Sequence, residues 1–546
     1  MTGEGSGSGP DGRKASLFGG ALRAPRGDRE VLALPPFGQV GDLLGQVDRA
    51  DRCRYDVQGR SLCDVSAQAR QELLSAAQRY TATYRSLAST ETHERILIAG
   101  HQPQLFHPGV WFKNFALDGL ARTHRATAVN LVIDSDTLKD TSLRVPGGSL
   151  DDPVQRIIPF DDPTGEMPFA RRAIRNRKTF ESFGRAAADW LRPLIDDPLV
   201  NSFWPRVIAR SRETDNLGQC LAQARHQLEG EWGSRTLELP QSQVCRFEAF
   251  FWFVAHLLAH LPRFVQTYNR AVVRYRQLHG IRSANHPVPE LVGSDEWLEA
   301  PLWLISRDRP ERRHLFVRRR GGEMILSDRE GIDATIRLGA DQDATRAVTD
   351  LAELAERGIE FQTRALTTTL FARLLLGDLF VHGIGGGKYD QLTDDLIREF
   401  FMLEPPPFMV LSATLYLPVQ NRATSAEDPR DVQQRLRGLE YHPERYLDVE
   451  HLSAGDTQRV SNLIATKRRW IDTPQTPSNG RERCHAIRSV NEALQLWLEE
   501  QRRQALTRRE QATRRWRAEN IIRWREYAFC LYPEATLREL FASAAA

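Results

Sequence analysis

The stretch Ile96-Leu97-Ile98-Ala99-Gly100-His101-Gln102-Pro103 decides the reading of the fold. Its four leading apolar residues form a run short enough to be a buried strand. Gly100 ends that run, and a glycine there lets the backbone turn sharply or approach a ligand closely. A helical pattern follows over about 110–121, with Trp111, Phe112, Phe115, Leu117 and Leu120 at helical spacing. A second apolar run, from Ala128 to Ile133, then ends at Asp134. Strand, turn, helix and strand within roughly 30–40 residues is the span of a βαβ unit. Upstream, Leu73, Leu74, Ala77, Tyr80 and Tyr84 give the segment 66–86 the spacing of another helix.

The same rhythm returns far downstream. Segment 366–376 reads as a helix, 379–382 as a strand, 383–387 as a Gly-rich turn, 389–402 as a helix and 408–417 as a strand. Between the two blocks the texture changes. It is largely helical, as in 180–194 and 247–278, with a β-rich part in which 315–318 and 324–326 flank Arg319-Arg320-Gly321-Gly322 as a hairpin. The expected fold class is therefore α/β: a Rossmann-like core interrupted by a long, mostly helical insertion, with a C-terminal long helix or coiled-coil element. The expected boundaries are a disordered leader at 1–30, an N-terminal segment and first core half at 31–150, and the connecting insertion at 151–361. The second core half follows at 362–420 and a helical C-terminal region at 421–546.

Composition narrows the function classes. The 546 residues are 41% hydrophobic and 27% charged, with 74 Lys plus Arg against 71 Asp plus Glu. A formal charge of +3 suits neither a nucleic-acid-coating protein nor an acidic disordered chain. Six scattered cysteines with no CxxC pair read as reduced, mostly structural thiols. The Gly/Ser-rich start has no apolar signal core, and the most apolar stretch, 247–261, contains Glu248, His256 and His260 and stops at Pro262. It reads as a buried helix, so the expected compartment is the cytoplasm, without a membrane partner. The segment from Ala486 to about Tyr527 is dense in Arg, Glu and Gln, with an imperfect heptad. Its arginines interleave with glutamates as on an ion-paired, solvated helix, which argues against nucleic acid as a partner.

Three constellations carry chemistry. At Gly100-His101-Gln102 the following helix offers unpaired N–H groups and the positive end of its dipole to a phosphate or carboxylate. His101 and Gln102 add side-chain donors, and Lys113 lies further along. At Asp134-Ser135-Asp136, carboxylates at a strand's carboxyl end can bind a ribose hydroxyl, hold Mg²⁺ against phosphates or orient an amine. The same residues are also the preferred N-caps of a helix. At His382-Gly383-Ile384-Gly385-Gly386-Gly387-Lys388-Tyr389, four glycines in five residues make a backbone able to wrap an anion, with Lys388 as countercharge. The stretch is neither a Walker A loop nor a dinucleotide fingerprint. His256 and His260, one helical turn apart, lack the glutamate of HExxH and read as core or groove histidines; no metal site is expected.

In this order, these residues resemble the bacillithiol biosynthesis cysteine-adding enzyme family (BshC). That family has a Thr-Gly-Gln-Gln-x-Gly-Leu-Phe segment, matched here by Ala99-Gly100-His101-Gln102-Pro103-Gln104-Leu105-Phe106, and a lysine on the next helix, matched by Lys113. Its acidic string is represented by Asp134-Ser135-Asp136, and its Gly-Gly-Pro-Gly-Glu-x-x-Tyr turn by 382–389, where Gly386 replaces the glutamate. Arg364 lies near an arginine the family carries. His101-Gln102-Pro103 also resembles the opening of WbqC-like proteins, a likeness confined to those residues. The resemblance implies a ligase that joins an amino acid, cysteine in the family, to an amino-sugar or other amine acceptor. It also implies an ATP or ADP site with Mg²⁺ and a coiled coil supporting a homodimer. Asp134, Asp136 and His101 are the expected catalytic residues. Gly100, Gln102, Lys113, His382, Gly383, Gly385, Gly386, Gly387, Lys388 and Tyr389 are the expected ligand contacts. The glycine at 386 keeps a second reading open, a non-catalytic nucleotide- or sugar-phosphate-binding protein.

Overall fold

Ile96 and Ile98 point to one side of their strand while Leu97 and Ala99 point to the other, and both sides are fully buried. A strand apolar on both faces needs a layer of helices on each, the arrangement of parallel sheets. A computed structural model of the chain describes residues 22–45, 50–87, 92–294, 296–339, 343–419 and 427–544. Its strands in chain order are β1 (Val31–Leu34), β2 (Ile96–His101), β3 (Thr127–Val132), β4 (Ser142–Gly148), β5 (Pro153–Pro159), β6 (Leu237–Pro240), β7 (Leu298–Ser306), β8 (Arg313–Arg320), β9 (Glu323–Ser327), β10 (Asp333–Arg337), β11 (Ile359–Thr363), β12 (Leu379–His382) and β13 (Phe408–Ala413).

The protein is mixed α/β. Its central sheet has the order β1-β13-β12-β2-β3-β6; all neighbours are parallel except β1, which closes one edge antiparallel to β13. Taken by chain position, the parallel strands run 3-2-1-4-5, so the order reverses between β2 and β12. The helix after β2, Pro108–Thr123, packs on the face that holds Leu97 and Ala99. The helix after β12, Ile384–Glu399, packs on the face that holds Ile96 and Ile98. Neighbouring strands whose helices leave to opposite faces open a crevice at their carboxyl ends.

Several expectations need correction. The stretch 151–361 is not wholly outside the core: β6 lies within it and pairs with β3, so the interruption comes in two pieces. With only four residues and a buried Glu238 in its middle, β6 carries no apolar run to betray it. The β-rich part is a five-stranded antiparallel sheet, β10-β9-β8-β7-β11, that contains the expected hairpin. Its turn needs Gly321, whose φ of +62° favours glycine. Of the leader 1–30, residues 1–21 lie outside the described residues. The rest is ordered: Leu22 is buried, and Arg29 N–H bonds Thr414 O at 2.7 Å. The 247–261 segment is a buried helix, Glu248–Ala259, as its composition suggests. No described helix is long and apolar enough to cross a membrane.

The C-terminal helix is divided rather than continuous, as Gly480–Leu494 and Glu499–Ile522 separated by a 3-10 turn at Gln495–Trp497. The break lets the first piece pack on the helix Ala454–Asp472 and the second on Pro429–Tyr441. Beyond it the chain returns to the core, where Phe529 N–H bonds Phe106 O at 2.9 Å.

The cysteine expectation fails at one pair. Cys53 and Cys63 form a disulfide across a separation of ten residues, because a short loop turns back onto the start of the helix Leu62–Ala82. Cys220, Cys245 and Cys530 are buried free thiols, each pushed up to about 12 by burial. Closing so short a loop restricts the unfolded chain, so Cys53→Ser is expected to lower stability by about 2–3 kcal/mol. A thermal melt of the variant beside the oxidised and reduced wild type checks this. The reduced wild type should melt with the variant.

Candidate functional site

At the reversal point lies a cleft of about 940 Å³ between β2 and β12. It unites the two motifs that stand nearly 300 residues apart in the chain: Gly100, His101 and Gln102 on one wall, and His382, Gly383, Gly385 and Gly386 on the other. Lys113, Asp136, Lys388 and Tyr389 also line it. Gly387 and Asp134 do not.

The two helix ends at the cleft differ. In the Pro108–Thr123 helix Pro108 has no N–H. Gly109 N–H donates to His107 Nδ1 at 3.1 Å, and Val110 and Trp111 N–H both point at His107 O. This end, expected to offer free donors, is satisfied from within. The Ile384–Glu399 helix has Gly383 at its N-cap and no capping side chain. Its first intrahelical bond runs from Gly387 N–H to Gly383 O at 2.9 Å, so the amides of Ile384, Gly385 and Gly386 precede it. Three such N–H groups at the positive end of a 16-residue helix are donors of the kind an anion accepts from.

The Gly-rich stretch is thus the first turn of a helix rather than a turn that wraps a ligand. None of its glycines has positive φ. What two of them need is space. A Cβ at Gly387 would lie 2.2 Å from Val410 Cγ2, and one at Gly386 would lie 2.5 Å from His382 Nδ1. Gly385 meets nothing within 4 Å. The helix end packs against β12 and β13.

Of the acidic string, the structure separates the two aspartates. Asp134 accepts from Ser242 N–H at 2.9 Å and from the Ser242 hydroxyl, so its carboxylate caps the short helix Gln241–Val244. Burial pushes it up to about 6 against those two bonds. Asp136 faces the cleft, where it accepts from Gln102 Nε2 at 3.0 Å and Arg312 Nη1 at 3.1 Å.

His101 lines the cleft but has both nitrogens engaged, Nδ1 with Gln102 O at 3.2 Å and Nε2 with Asn114 Oδ1 at 3.1 Å and Asn130 Nδ2 at 3.2 Å. Burial, then the nearby Arg225 and Lys113 charges, hold it well below its ordinary value and therefore neutral. Lys113 donates to Gly100 O at 2.7 Å, and burial lowers its ammonium to about 7. Burial raises the Tyr389 hydroxyl to about 12.

Beneath His101 runs a buried polar network. The Arg225 guanidinium bridges Glu229 and Glu238; Glu229 also accepts from Trp111 Nε1 at 2.6 Å and Asn114 Nδ2 at 2.8 Å, and Glu238 from Asn130 Nδ2 at 2.6 Å. His226, Glu229 and Glu238 place ligand atoms within 4.8 Å of one another. As a metal site the group is already taken, by Arg225 between the carboxylates and by Tyr84 on His226 Nδ1 at 2.7 Å. His256 Nε2 is hydrogen-bonded to the Tyr55 hydroxyl at 2.8 Å and His260 Nε2 to Gln58 Oε1 at 3.0 Å.

Sequence reasoning missed the far wall. Trp303 of β7 carries two guanidinium groups over its ring, Arg312 at 4.8 Å and Arg364 at 4.3 Å from the centroid. Arg364 is further held by Glu299 at 2.7 Å. Arg525 enters from the C-terminal segment and bonds Ser412 Oγ at 3.3 Å. Only Arg364 drew notice, through the family likeness; nothing local marks one arginine among so many. Together with Lys113 and Lys388 these side chains make the cleft cationic. No protein-family model matches the chain, and no curated protein matches it.

Proposed function

We propose that the cleft binds a phosphate-bearing ligand, a nucleoside triphosphate, and that the chain is a ligase of the bacillithiol cysteine-adding kind. Such an enzyme joins an amino acid to an amine through an amide bond. On this reading the central sheet is Rossmann-like: its 3-2-1-4-5 order is that of dinucleotide- and nucleotide-binding sheets, which take ligands where the order reverses. The observation that carries the proposal is the uncapped end of the Ile384–Glu399 helix, open at that point beside Lys113. Activating a carboxylate for amide formation calls for a triphosphate, and the protein's part is positioning and charge stabilisation. Asp136 has both oxygens hydrogen-bonded to Gln102 or Arg312, which fits holding those donors better than ligating Mg²⁺. The metal then travels on the phosphates.

Gly385 supplies the test, because a side chain there meets no neighbour. Gly385→Val is expected to weaken ATP·Mg binding at least about tenfold, the loss of roughly one charge-assisted hydrogen bond. The melting temperature should stay close to that of the wild type. Equilibrium dialysis with both proteins decides it, and unchanged affinity rules out the helix end as the phosphate site. A second reading, a nucleotide binder without chemistry, is favoured by the withdrawal of Asp134 to a capping role. Amino-acid-dependent ATP consumption over a panel of amine acceptors separates the two.

A further inference from the structure

We propose that His382 is the proton acceptor of the cleft, held by Asp390 and Arg373 as its Nε2–H tautomer and left open at Nδ1 by Gly386. The proposal rests on the cleft being an amide-forming site. His382 is the last residue of β12, at the strand's carboxyl end, and lines the cleft while only 5% exposed. Its Nε2 lies 2.9 Å from Asp390 Oδ2, which also accepts from Arg373 Nη1 at 2.8 Å. Arg373 is fixed in turn by Asp394 at 2.6 Å and by Pro406 O at 3.2 Å. Burial alone would raise Asp390, but Arg373 and His382 outweigh it and keep the carboxyl far below its usual range. An ionised carboxylate only accepts, so Nε2 carries the hydrogen and Nδ1 keeps its lone pair. This is the arrangement in which a buried aspartate orients a histidine base.

The surroundings agree. Phe380 and Phe408 pack against the imidazole at 4.4 and 5.4 Å between ring centres. The charged groups around it are Asp390, Arg373 and Lys113. Burial lowers His382 more than Asp390 raises it, which leaves it neutral near pH 7. Gly386 is the neighbour on the Nδ1 side, where a Cβ would stand at 2.5 Å, well inside contact distance. A side chain at 386 would therefore cover the lone pair, and the glycine that departs from the family's glutamate is what exposes it. His101 has no such opening, since both its nitrogens are occupied.

In the proposed step the acceptor's neutral amine attacks the carbonyl carbon of an acyl phosphate made from the amino acid and the nucleoside triphosphate. The C–N bond forms, the C–O bond to phosphate breaks, and the phosphate leaves with the electron pair. The amine proton passes to His382 Nδ1, where Asp390 stabilises the imidazolium. His382 would be a catalytic residue, and Asp390 and Arg373 positioning residues.

Diethyl pyrocarbonate, which acylates unprotonated accessible imidazole nitrogens, tests this on the whole protein without any ligand. Peptide mapping at pH 7 is expected to find His382 acylated at least tenfold faster than His226, whose nitrogens are both hydrogen-bonded. Gly386→Ala should slow His382 acylation at least tenfold. Asp390→Asn should move the acid limb of its pH profile to lower pH, because an anion that favours the imidazolium is gone. Wild-type His382 reacting no faster than His226, or reacting equally fast in Gly386→Ala, overturns the proposal. Reactive His382 that ATP·Mg fails to protect counts against the nucleotide reading alone and leaves the open Nδ1 standing. With turnover in hand, His382→Gln is expected to lose about 100-fold in kcat with ATP binding retained. Unchanged kcat would also overturn the proposal.

Discussion

Replacing Arg225 with methionine is expected to destabilise the protein by about 3–5 kcal/mol, the cost of leaving buried charge uncompensated. Arg225, Glu229 and Glu238 are each at most 2% exposed, so no water can take over the lost guanidinium. One cation already faces two carboxylates. Glu229 Oε1 accepts three donors, and burial pushes Glu238 up to about 7. Without Arg225, Glu238 loses the charge that offsets its burial and sits further above its unfolded value. A carboxyl raised in the folded state contributes stability that is present below its unfolded value and is lost as pH climbs through the folded one. The deficit of Arg225→Met should therefore be smaller at pH 5 than at pH 8. Denaturation midpoints at the two pH values check both size and sign. Because the network holds Asn114 and Asn130 against His101, the variant should also loosen the β2 wall of the cleft.

The second large effect is at Gly109, where the Pro108–Thr123 helix meets the sheet. A Cβ there would stand 1.9 Å from the carbonyl oxygen of Ala413 on β13. Backbone cannot swing aside as a side chain can, so Gly109→Ala must push the helix off the strand. A loss of about 3 kcal/mol is expected, the upper range for overpacking. Gly385→Ala is the control: it meets nothing within 4 Å and replaces a poor helix former by the best one. It should leave stability unchanged or raise it by up to about 1 kcal/mol. Thermal melts of the two variants side by side decide whether glycines at these helix starts serve packing or conformation.

How much of this could be read beforehand depended on how local the cause was. The β2 and β12 strands, and the helix after β2, announce themselves through runs of Ile, Leu, Val and Phe, and the structure has each near its expected place. The four glycines at 383–387 signalled a special backbone, yet their purpose was misread: two answer to Val410 and His382, neighbours that spacing along the chain does not reveal. Asp134 and Asp136 look alike in sequence, and only the Ser242 amide on one side and the cleft on the other part their roles. Arg312, Arg364 and Trp303 gather by folding of the second sheet, and no local signal distinguishes them from the other arginines.

By itself, then, the chain's order of residues determined an α/β protein with glycine-marked strand ends, because apolar periodicity and the removal of a Cβ act within a few residues. Tertiary structure alone decided that the two ends meet, which of the two helix ends at the cleft stays uncapped, and how His101 and His382 differ in the use of their nitrogens. Those outcomes depend on hydrogen bonds and steric contacts between segments hundreds of residues apart, and a linear pattern holds no record of such distances.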